Sequence, residues 1–91
     1  MIENATKLEL WTAIKAARGC GCLPMFVIYD RPSDYPDGFI ARMFLTGKVE
    51  IPTLITVTGS LEEIQEKLME VGMAKLARNT DDDPKIAEVW I

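Results

Sequence analysis

Hydrophobic positions along this chain change period several times, and each change predicts an element. Residues 6–18 repeat at helical spacing, with Leu10, Trp11, Ile14 and Ala17 on one predicted face and Glu9, Lys15 and Arg18 elsewhere. Thr6 and Glu9 stand at the capping-box spacing, and Gly19 suits the left-handed residue past a helix end. Lys7 to Trp11 also alternates as a strand would, so a strand is the alternative there. Met25-Phe26-Val27-Ile28-Tyr29 is apolar at every position, which places a strand in the middle of a sheet, covered on both faces. Asp30 to Gly38 is rich in Asp, Pro, Ser and Gly, the chemistry of a turn-rich loop.

Phe39 to Leu45 alternates as a second strand: Phe39, Ala41, Met43 and Leu45 point one way, Ile40, Arg42 and Phe44 the other. Gly47 and Lys48 turn the chain, and Pro52 leads into a third strand over residues 53–58. There Ile55 and Val57 share the more apolar side with Thr53, while Leu54, Thr56 and Thr58 form a mixed one. Ser60 and Glu63 repeat the capping-box spacing, Leu61, Ile64, Leu68 and Val71 form a helical stripe, and Gly72 ends the helix. A short alternating piece over residues 73–78, the loop 79–84 and a final strand over residues 86–91 complete the chain. In that strand Ile86, Glu88 and Trp90 are predicted on one side and Ala87, Val89 and Ile91 on the other.

The order α-β-β-β-α-(β)-β with short connections predicts an α+β two-layer sandwich. Its sheet is mainly antiparallel, of four or five strands, with two helices on one face. The unbroken apolarity of the first strand asks for cover on the other face as well. Too little chain remains to supply it, so a homodimer through the sheet is expected.

Composition narrows the function classes. Ninety-one residues suit one domain, and 48% hydrophobic with 26% charged residues is ordinary for a globular protein. A net charge of −4 and a pI near 4.7, with no two basic residues adjacent, argue against nucleic acid as a direct partner. No apolar run approaches the roughly 20 residues of a membrane span, and the opening residues lack a signal-peptide pattern. A cytoplasmic location without membrane association, and reduced thiols at Cys20 and Cys22, are the expectations.

The chain contains no histidine, which removes the commonest general base and the usual catalytic zinc ligands and argues against an enzyme. Cys20-Gly21-Cys22 supplies two thiols, half of a tetrahedral metal site, and follows a predicted helix C-terminus, where the dipole disfavours a thiolate. These cysteines are read as small residues packed in a tight connection. No cofactor, metal site or catalytic residue is predicted.

Two loops carry the candidate contacts. Asp30, Arg31, Asp34, Tyr35 and Asp37 combine charge with an aromatic on a proline-stiffened loop, good material for recognition because little entropy is lost on binding. Those Asp residues could instead hold a divalent cation, or cap turns and pair with Arg31 or Arg42. Asp81, Asp82 and Asp83 form an acidic run that would join them if the last strand lay beside the first. Trp90 is a possible binding anchor, although an aromatic on an amphipathic strand is more often core.

The segments Val27-Ile28-Tyr29-Asp30-Arg31-Pro32-Ser33-Asp34-Tyr35-Pro36 and Asp81-Asp82-Asp83-Pro84-Lys85-Ile86-Ala87-Glu88-Val89-Trp90 together resemble a recurrent pair in small uncharacterised bacterial and phage-associated proteins. The resemblance implies a bacterial or mobile-element origin and transfers no residue role. The leading expectation is an interaction or accessory protein, homodimeric, meeting a protein partner through the two polar loops. A carboxylate-based enzyme and an acidic inhibitor imitating DNA are the alternatives.

Overall fold

The computed structural model describes residues 4–31, 38–47, 49–76 and 86–91. Its elements follow the predicted order: α1 (Lys7–Gly19), β1 (Leu23–Asp30), β2 (Phe39–Thr46), β3 (Glu50–Gly59), α2 (Leu61–Glu70) and β4 (Ile86–Trp90). The four strands form one antiparallel sheet in the order β3-β2-β1-β4, an α+β fold with the apolar strand β1 inside the sheet.

Both helices begin on complete capping boxes. The Thr6 hydroxyl accepts from the Glu9 N–H while the Glu9 carboxylate accepts from the Thr6 N–H, and Ser60 and Glu63 repeat the exchange. Two otherwise orphaned amides are satisfied at each helix start. After α1 the left-handed residue is Gly21, at φ +77°, and Gly19 remains helical, so the exit turn falls two residues later than the sequence predicts. The prediction erred because either glycine can adopt that conformation, and only the path into β1 selects between them. Gly72, at φ +86°, follows α2 as expected.

Leu10, Ile14 and Ala17 of α1 and Ile64 and Leu68 of α2 pack with Phe26, Ile28, Ala41, Met43, Val57 and Trp90 in a single core. Trp11 is not among them. It is 49% exposed, which overturns its predicted place on the buried face. The physical reason is angular: one residue past Leu10 is a rotation of about 100°, outside the stripe that Leu10, Ile14 and Ala17 share.

Strand register assigns the faces. Phe26 stands opposite Met43 and Trp90, and Ile28 opposite Ala41 and Glu88, on the helix side. On the other face Met25 stands opposite Phe44, Val27 opposite Arg42 and Val89, and Tyr29 opposite Ile40 and Ile86. A register shift between Ile28 and Tyr29 sets Ile86 opposite Tyr29 while Ala87 packs on the core. This corrects the strict alternation that put Ile86 with Glu88 and Trp90, because a bulge resets the period of two.

Short segments also pair along both outer strands. The Ala5 N–H donates to the Thr56 carbonyl at 2.9 Å beside β3, and Ala74 and Leu76 donate to Ile91 and Val89 beside β4. The start of the predicted 73–78 piece therefore does pair into the sheet, with Lys75 bridging to Trp90; residues 77 and 78 lie outside the described residues. Such partners satisfy edge groups that would otherwise invite another strand. Among the described residues, no helix is long and apolar enough to cross a membrane.

Candidate functional site

The β1–β2 connection starts where the apolar run of β1 ends. Asp30 is the last residue of β1, opposite Phe39, and the Arg31 N–H donates to the Gly38 carbonyl at 3.0 Å, closing the base of the loop. Arg31 has φ +45°, a left-handed conformation that a side chain disfavours. Its guanidinium donates from Nε to the Asp30 carboxylate at 3.0 Å, so the predicted pairing of a loop aspartate with Arg31 is present. Asp34, Tyr35 and Asp37 lie outside the described residues, as do Asp81, Asp82 and Asp83.

The other two candidates are not brought to Asp30. Arg42 stands on the helix-free face between Val27 and Thr56, three residues from Asp30 along β1 and on the opposite side of the sheet. Trp90 pairs with Phe26, four residues from Asp30, a distance of about 13 Å along a strand. It is 5% exposed and belongs to the core, which answers the anchor question in favour of packing. One condition set by the sequence is met: β4 lies beside β1. The chain leaves β1 at Asp30 and enters β4 at Ile86, opposite Tyr29, so the two polar loops are attached at the same end of neighbouring strands.

A polar cluster that the sequence reading missed surrounds Glu88. This carboxylate sits on the core side of β4 and accepts from Gln65 Nε2 at 2.9 Å, Trp90 Nε1 at 3.0 Å and Lys75 Nζ at 3.4 Å. Burial pushes its pKa up, but the hydrogen bonds from Gln65 and Trp90 and the nearby Lys75 charge outweigh that and hold it below the usual carboxylate value. The sequence carries a signal for it: alternation puts Glu88 and Trp90 on one side of a strand, a carboxylate next to an indole N–H. The cluster satisfies its members and ties α2 to β4, the arrangement of a structural network.

The two thiols occupy the turn after α1. Cys20 is exposed and Cys22 half-buried against the core, and both are free. Cys20 also borders an apolar cleft of about 250 Å³ between α1 and the sheet, lined by Ala13, Ala16, Met43, Leu45 and Ile55 among others. Among the described residues, no three His, Cys, Asp or Glu side chains are grouped to hold a metal ion.

Fold and site define a two-layer α+β domain with a polar loop at one end of its sheet. Comparison with protein-family models, curated proteins and solved structures found no match for the chain.

Proposed function

We propose that this chain is a small cytoplasmic interaction or accessory protein. It acts as a homodimer joined through the helix-free face of its sheet and meets a protein partner through residues 30–38 and 79–85. The observation that carries this reading is the composition of that face. Met25 against Phe44, Val27 against Val89, and Tyr29 between Ile40 and Ile86 form an apolar stripe beside Arg42 on that face, half-buried except at Val27, which is buried. Apolar patches of this kind on small proteins ordinarily mark association sites. A second copy presents the same patch, so a twofold contact is self-complementary without further chain.

The partner surface is supported by the common attachment of both polar loops to the β1–β4 end of the sheet. The strained Arg31 backbone at the base of one loop also fits a functional position, because such strain persists where a site requires it.

Light scattering on a sizing column tests the reading. At high salt the expected mass is twice the 10.2 kDa of one chain, and Phe44→Asp, which places a charge in the apolar patch, should return a folded monomer there. A wild-type monomer at about 100 µM would overturn the dimer, since standard interfaces hold at such concentrations. Affinity capture with Arg31→Glu as control tests the loops: a partner retained equally by the variant would remove Arg31 from the contact surface.

A further inference from the structure

The two helices carry opposite charge on their outward faces. Leu8, Trp11, Lys15 and Arg18 of α1 are exposed, Leu8 at 74%, and the Lys15 ammonium sits 4.3 Å from the centre of the Trp11 ring. Neither Lys15 nor Arg18 has an ion-pair partner among the described residues. The nearest acid in sequence, Glu9, is occupied by the Thr6 amide. On α2 the exposed face carries Glu62, Glu66 and Met69, the last 57% exposed, and neither carboxylate is paired among the described residues. Lys7 and Glu70 already pair with one another between the helices.

These two faces match in order as well as in sign. Along α1 the apolar residues come first and the cations follow; along α2 the acids come first and Met69 follows. Trp11 to Arg18 and Glu62 to Met69 are both separations of seven residues, about 10.5 Å of helix. Laid antiparallel, α1 of one copy sets Trp11 on Met69, Lys15 by Glu66 and Arg18 by Glu62 of the other. A parallel arrangement would press Trp11 onto Glu62 and desolvate a carboxylate without a partner. Antiparallel packing also opposes the helix dipoles favourably, and thioether-on-indole contact is itself attractive.

We propose that the outer face of α1 docks antiparallel on the outer face of α2 of a second copy of this chain. This contact uses the helical layer, on the opposite side of the sheet from the proposed homodimer face, and goes beyond that reading. An anionic lipid surface is the weaker occupant, because among the described residues this α1 face offers it two unpaired cations, Lys15 and Arg18, and the chain as a whole carries −4. Exposed ion pairs contribute little each, so the association is weak and falls with salt.

Sedimentation equilibrium at low and high salt tests it. Lys15→Glu with Arg18→Glu, and separately Glu62→Lys with Glu66→Lys, should each weaken the step by about tenfold or more, and an equimolar mixture of the two double variants should restore it. Exposed positions make misfolding a small risk, and far-ultraviolet circular dichroism controls for it. If the sheet dimer also forms, the step is read as dimer to tetramer, and Phe44→Asp shifts the other step alone. An association constant unchanged by either double variant, or a mixture that fails to recover, overturns the proposal. So does wild-type protein that stays unassociated in solution while sedimenting with phosphatidylserine vesicles.

Discussion

Individual residues show how burial and hydrogen bonding divide the work. Glu88 contributes stability because its folded pKa lies below its unfolded value. That contribution is fully present above the unfolded carboxylate pKa of about 4.3, and is lost as pH falls through the lower folded value. Glu88→Ala would leave Trp90 Nε1 and Gln65 Nε2 without their acceptor, so a loss of about 1–3 kcal/mol is expected in denaturant titrations at pH 7. Glu88→Gln keeps an acceptor and should lose less. It should also flatten the fall in melting temperature below about pH 4.5, because its side chain does not titrate there. Equal pH profiles for wild type and Glu88→Gln would remove this residue from the acid sensitivity. The two tryptophans make the complementary point. Trp90 is core and Trp11 is surface, although both sit in amphipathic segments.

At the scale of elements, the capping boxes explain why these short helices start where they do. A helix of 10 residues such as α2 is too short to be stable alone in water, so its ends and its buried stripe decide its existence. The Glu9 pKa is lowered, chiefly by the backbone hydrogen bond it accepts from Thr6 and also by the Thr6 side chain. Ser60→Ala and Thr6→Ala should each destabilise the domain by about 1 kcal/mol. In a domain of this size that is a drop of about 4–8 °C in Tm, measurable by differential scanning calorimetry. Unchanged melting for both would mean that packing alone fixes the helix starts. Strand positions were legible for a related reason: β2 alternates cleanly, and of its two predicted sides the one with Phe39, Ala41, Met43 and Leu45 is the core side. The bulge at Ala87 was not legible. Nothing local in residues 86–91 distinguishes a regular strand from one that skips a residue against its neighbour.

For the molecule as a whole, 91 residues give a core with little reserve: a stability of roughly 5–13 kcal/mol is ordinary at this length. Ile28 is fully buried in the middle of that core, so Ile28→Ala should cost about 2–5 kcal/mol and remove much of the margin. Urea unfolding is the measurement, and a midpoint shifted by less than a tenth would contradict the central role of β1. Self-association adds to the margin by mass action, so Tm should rise with protein concentration if either proposed contact forms. The candidate site belongs to this scale too. Asp30 and the start of β4 are 56 residues apart in sequence (30 to 86), and only the pairing of β1 with β4 sets their ends side by side.

The sequence by itself determined the element order, the fold class and the two-sided alternation of β2, because period, capping and turn chemistry act over a few residues and are written locally. Tertiary structure decided what depends on distant partners. It set β4 against β1, reset the alternation at Ala87 and gave Glu88 its three donors. Those outcomes follow from packing one surface on another, a constraint that no short window of residues contains.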